Sequence, residues 1–129
     1  MSLNDAQIAD LVTALLTVNR YPLDRAAALM PTFRDQGLLD PRRLLAMSGG
    51  EVVRALNDAG YQRGGYVNVI AFRLHPIMEA IAAGQLDGLP PAVEVGDKVT
   101  FTATLQGVYG FGPRTIEAAW LLWSTPRSG

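Results

Sequence analysis

Apolar residues recur at three- and four-residue intervals along most of this chain, the spacing of helices that bury one face. Ile8, Leu11, Val12, Leu15 and Leu16 form the first stripe, and Asn4 with Gln7 three residues later has the pattern of a capping box. Asn19-Arg20-Tyr21 ends that helix. Pro22 opens a second, carrying Leu23, Ala26, Ala27 and Met30 and closing near Gly37. Pro31 inside it predicts a kink or a split, because proline lacks the N–H and clashes with the preceding turn. Asp40-Pro41 starts a short third helix through Ala46. Ser48 and Glu51 repeat the capping-box pattern and open a fourth, with Val52, Val53 and Leu56 inward and Gly60 at its end. A long helix follows from about Gly65 to Ala83; Val67, Ile70, Ala71, Leu74, Ile77, Met78 and Ile81 are its buried stripe, and Pro76 implies a bend.

The stretch Leu86 to Gly96 is rich in proline and glycine and is expected to be a loop. Asp97 then caps a helix through about Gln106. The alternation Val99-Phe101-Ala103-Leu105 also fits a strand, but no partner strand is evident elsewhere. The last helix runs from Pro113 to Trp123, with Ile116, Trp120 and Trp123 at i, i+4 and i+7 for core packing. No repeat, low-complexity run or linker divides the chain. The expected fold is all-α, a single domain over residues 1–129.

Composition narrows the function classes. Hydrophobic residues make up 49% of the chain, enough for a core, and charged residues only 18%, too few for a solvated disordered chain. No apolar run is long enough to span a membrane, and Met1-Ser-Leu-Asn-Asp lacks the basic start and apolar core of a signal peptide. Without cysteine there is no disulfide, no Cys-based zinc site and no Cys-held iron–sulfur cluster. The chain is therefore expected in a reducing cytoplasm, off the membrane, with no cofactor or metal. Lone His75 in a mostly apolar helix is expected to be structural. The net charge of −1 weighs against strong nonspecific binding to nucleic acid. Placement counts more than the sum, however. Asp5, Asp24, Asp40, Glu51 and Asp97 fall where helices begin and serve their dipoles, whereas Arg20, Arg63, Arg114 and Arg127 take loop-side positions that allow a shared basic face.

The segment with the most chemistry is Val108-Tyr-Gly-Phe-Gly-Pro-Arg-Thr115. Two glycines flank an apolar residue, and Pro113 suits the first position of the helix that follows. Backbone N–H groups at such a helix N-terminus favour an anion, most simply a phosphate. Arg114 and Thr115 add side-chain donors.

This segment resembles the helix-hairpin-helix of endonuclease-III-type DNA glycosylases, whose motif runs roughly Leu-Pro-Gly-Val-Gly-Pro-Lys-Thr-Ala. Val108, Gly110, Phe111, Gly112, Pro113 and Thr115 fall on it. Two looser matches precede it in order. Leu11-Val-Thr-Ala-Leu-Leu-Thr-Val-Asn19 is similar to the family's first barrel helix, which ends in a polar residue facing the DNA, here Asn19. Gly60-Tyr-Gln-Arg-Gly-Gly-Tyr-Val-Asn-Val69 is similar to the turn whose apolar residue enters the gap left by a flipped base, and Tyr61 takes that place. The resemblance implies a helical barrel with the hairpin near its C-terminus.

The departures matter as much. Arg114 stands where base-removing, strand-nicking members carry a nucleophilic Lys, and a guanidinium stays protonated. The family's Val-Asp-x-His segment, whose carboxylate supports the chemistry, has no counterpart in this sequence. What the resemblance implies is a DNA-binding protein without base excision. It would hold duplex backbone, nonspecifically or at damaged and distorted sites, through Gly110, Phe111, Gly112, Arg114 and Thr115, with Arg63 and Arg20 adding charge and Tyr61 or Asn19 probing the base stack. An alternative is a glycosylase or lyase with displaced chemistry. Its weak catalytic candidates are Lys98, the only lysine, and Glu117 on the hairpin helix; Asp87, Glu94 and Asp97 are further acids near the approach loop. A third reading is an interaction module that partners a DNA-processing enzyme.

Overall fold

A computed structural model describes residues 3–125, and of Asn19 the backbone alone. Arg127 lies outside the described residues. Nine α-helices and one 3-10 turn make up the regular structure of the described residues, with no strand among them: α1 Asp5–Leu16, the 3-10 turn Val18–Arg20, α2 Leu23–Ala28, α3 Met30–Asp35, α4 Pro41–Leu45, α5 Gly49–Asp58, α6 Gly65–Ala82, α7 Leu89–Glu94, α8 Lys98–Gln106 and α9 Pro113–Ser124.

Local chemistry sets most of these boundaries. Asn4 and Gln7 exchange two capping bonds at the start of α1, and Ser48 and Glu51 do the same for α5. The Asp40 carboxylate accepts the Arg42 N–H, and Asp97 accepts the Thr100 N–H at 3.1 Å and its hydroxyl at 2.6 Å. These bonds hold the Glu51 and Asp97 carboxyls below their ordinary pKa values. Pro31 splits the second predicted helix into α2 and α3, which meet at Leu29.

One expectation is overturned. The proline-rich stretch after Gly84 is not all loop, because α7 forms within it. Pro90 and Pro91 fall in its first turn, where their absent N–H groups would have had no intrahelical partner. Leu86, Leu89 and Ala92 are buried at three-residue spacing, so the stretch carries its own apolar stripe.

A single buried cluster runs from Leu3 to Ala119. Helix α1 is its axis, packed against α2, α6 and α9. Its burial extends beyond the predicted stripe to Ala9, Thr13 and Ala14, and the Thr13 hydroxyl is satisfied by donating to the Ala9 carbonyl at 2.7 Å. Helices α4 and α5 also pack on α6, and α7 and α8 pack with α9. Segment α8 is a helix rather than a strand. Phe101 and Leu105, four residues apart, are buried, whereas Val99 is 80% exposed. The rings of Trp120 and Trp123 both meet Phe101 edge to face, at 5.2 and 5.7 Å between centroids.

Phe101 therefore locks α8 to α9. Phe101→Ala should lower unfolding stability by about 3–5 kcal/mol and red-shift tryptophan emission; urea denaturation followed by fluorescence measures both. Acid should weaken the start of α8. The Asp97 carboxyl titrates lower in the folded chain than in the unfolded one, so its contribution is complete above the ordinary aspartate range and disappears as pH falls through and below it. The melting temperature of the parent should drop between about pH 5 and pH 3, and that of Asp97→Ala should drop less.

Candidate functional site: an arginine-lined cleft at the N-terminus of the last helix

Residues 107–112 join α8 to α9 and alternate in their burial. Val108 and Phe111 are buried, and Tyr109 between them is 61% exposed. Gly110 makes this reversal possible. Its φ is +107°, and a Cβ there would stand 3.1 Å from Arg73 Cβ. The aliphatic stem of Arg73, on α6, thus packs directly beneath the connector.

Gly112 differs. Its φ is −102°, and a Cβ on it would meet nothing within 4 Å. The fold does not require glycine here; the space it leaves belongs to the cleft. That cleft, about 800 Å³, is lined by the connector, by the start of α9, by Thr17 and Val18, and by the side chains of Arg20, Arg73 and Arg114. No acidic residue lines it, and none of the three arginines forms an ion pair among the described residues. Arg114 is expected from the sequence and is exposed; Arg20 is expected and is exposed as well. Arg73 was not anticipated. It lies inside the long helix, and only the packing of α6 under Gly110 brings it to the site.

Arg20 has a further distinction. Its φ is +68°, the one left-handed conformation among the described non-glycine residues, a state that costs an L-residue roughly 1–2 kcal/mol. Packing around the 3-10 turn holds it there. The Arg63 Nη1 donates to the Val18 carbonyl at 2.8 Å and to the Tyr61 hydroxyl at 3.3 Å. Its guanidinium also lies over the rings of Tyr21 and Tyr66, at 4.9 and 4.8 Å from their centroids.

Several sequence expectations change accordingly. Arg63 does not contribute a free charge to the cleft; it is spent on the Val18 carbonyl and the tyrosines. Tyr61 is fully buried and meets Tyr21 edge to face at 5.3 Å, so its ring has no free face to enter a base stack. The same burial raises its hydroxyl pKa above the ordinary value, against the lowering effect of Arg63. Thr115 is buried, and its hydroxyl accepts the Gly112 N–H and donates to the Gly112 carbonyl, each at 2.9 Å. That pair closes the connector on itself, so neither the Thr115 hydroxyl nor the Gly112 N–H is a spare donor. The backbone N–H groups of Arg114 and Thr115, in the first turn of α9, have no partner within the helix. Phe111 is an anchor inside the core. The side chain of Asn19 lies outside the described residues.

The weak catalytic candidates are not at the cleft. Lys98 and Glu117 pair with each other at 2.8 Å on the exposed side of α8 and α9, and neither lines it. Among the described residues no group of three or more His, Cys, Asp or Glu is placed to hold a metal. His75 bonds Glu79 through Nδ1 at 2.9 Å. No described helix is long and apolar enough to cross a membrane.

Comparison with known proteins gives no family model, no curated protein and no solved structure that matches this chain.

Gly110→Ala should destabilise the fold by at least about 1 kcal/mol, since both its backbone and the Arg73 contact resist a Cβ. Denaturant unfolding checks this. Equal stability of the variant and the parent would mean that the connector relaxes at no cost.

Proposed function

We propose that this chain binds DNA through its phosphate backbone, with the cleft at the start of α9 as the phosphate site. The observation that carries the reading is that three arginines, Arg20, Arg73 and Arg114, line one cleft whose lining holds no carboxylate. Like charges brought together without partners are favourable only beside an anion. The first turn of α9 adds N–H groups without a partner in the helix and the positive end of a twelve-residue helix. The empty space at Gly112 gives an anion room to approach the backbone. These features agree with the resemblance to the helix-hairpin-helix of DNA glycosylases, in which the same segment grips the backbone.

The reading is one of binding rather than base removal. The cleft lining offers no carboxylate, amine or imidazole to activate water or attack a sugar, and the only lysine is tied to Glu117 elsewhere.

Fluorescence anisotropy with duplex oligonucleotides at several salt concentrations tests the proposal. Arg114→Ala should keep the parent's helicity and melting temperature, weaken binding about equally across sequences, and reduce the salt slope by roughly one. Gly112→Val should fold with a loss of less than about 1 kcal/mol yet bind at least tenfold more weakly. Unchanged binding by Arg114→Ala would make the cleft architectural and remove the proposal.

A further inference from the structure

Next to the arginine cleft lies a second cavity, about 910 Å³, with a different character. Its walls include Val52, Ala71, Phe72 and Tyr109, with the amide of Asn68 as a polar group and Gly49 and Gly50 opening one end. Phe72 is 69% exposed and Tyr109 is 61% exposed, and their rings meet edge to face at 5.7 Å. Two large aromatic rings left in solvent side by side are unusual on a chain that buries its other phenylalanines. Tyr109 lines both cavities, and Arg73, at the cleft, follows Phe72 directly on α6. Anion-binding and aromatic walls therefore meet along one edge.

A nucleotide has this same division, a phosphate at one end and a flat apolar ring at the other. We infer that the groove takes an unpaired nucleobase, stacked on the ring of Phe72 with Tyr109, nearly perpendicular to it at 80°, against the base's edge, from a strand whose phosphate lies in the arginine cleft. This rests on the phosphate reading of that cleft. The groove wall is largely apolar and so does not suit the charged backbone itself; the cleft has the charge, and the groove has the π-faces. Asn68 and His75, the latter bonded to Glu79 through Nδ1, are polar side chains of the groove lining that can meet a base edge. Stacking of this kind tolerates any base, so the preference is for an unpaired position rather than for a sequence.

The test uses the full chain with two labelled 20-mer duplexes, one fully paired and one with a single bulged 2-aminopurine. The parent should bind the bulged duplex about fivefold or more tightly than the paired one and should quench the 2-aminopurine emission. Phe72→Ala should abolish the preference and the quenching and leave affinity for the paired duplex within twofold. Gly50→Leu should do the same by filling the groove, since a Cβ at Gly50 meets nothing within 4 Å. Arg114→Ala should weaken both probes alike. A parent with no preference, or a preference and quenching that survive both groove variants, overturns the inference; the phosphate reading then stands if Arg114→Ala still acts. If neither duplex binds, both readings fall. Dimerisation of the parent in sedimentation velocity that Phe72→Ala abolishes would give the groove to a second copy and also overturn the inference.

Discussion

Helix α1 has no solvent face over its last two turns: Leu11, Val12, Ala14, Leu15 and Leu16 are all fully buried. A helix enclosed in this way must be satisfied within its own backbone, and it must then leave the core at one point. That point is Thr17 to Arg20. The chain reverses there through a 3-10 turn, with Arg20 left-handed at its end. The Val18 carbonyl receives Arg63. Truncating that guanidinium would leave the carbonyl and the Tyr61 hydroxyl without this donor and empty the space between Tyr21 and Tyr66. The exit of α1 is therefore fixed by a cation that sequence position alone would assign to the surface, and it is this exit that brings Arg20 to the cleft.

Local rules carried most of the fold. The capping residues Asn4, Asp40, Ser48 and Asp97, the split at Pro31 and the positive-φ glycines Gly37, Gly60 and Gly110 are all chemistry within a few residues of one another. Two features escaped. For α7, the weight given to Pro90 and Pro91 hid the apolar spacing of Leu86, Leu89 and Ala92. For α1, the small residues Ala9, Thr13 and Ala14 do not stand out in a hydrophobic stripe, although their size is what lets other helices approach closely.

The site was legible to the extent that it is local. Gly110, Gly112 and Arg114 follow one another along the chain and could be read from the connector. Arg73 could not, because it reaches the site only through a tertiary contact of its stem with Gly110. Tyr61 and Arg63 were misplaced for the converse reason. They belong to a turn, which suggests exposure, but Tyr21 and the 3-10 turn close over them. Sequence distance hides such contacts in both directions.

The charge distribution connects these points. A net charge of −1 argues against binding a polyanion only if the charges are mixed evenly. Here Asp40, Glu51 and Asp97 cap helices, Asp5 pairs with Arg34, and Glu117 pairs with Lys98, each away from the cleft. Asp40 and Asp97 cap the starts of α4 and α8 with carboxylates, and Asn4 and Ser48 cap α1 and α5 with an amide and a hydroxyl. At the start of α9 no carboxylate serves that purpose. Gly112 has no side chain to offer, and Thr115 turns back to satisfy the Gly112 N–H alone. The first turn of this helix thus opens on a cleft lined by three arginines and no carboxylate, the charge pattern on which the proposed phosphate site rests.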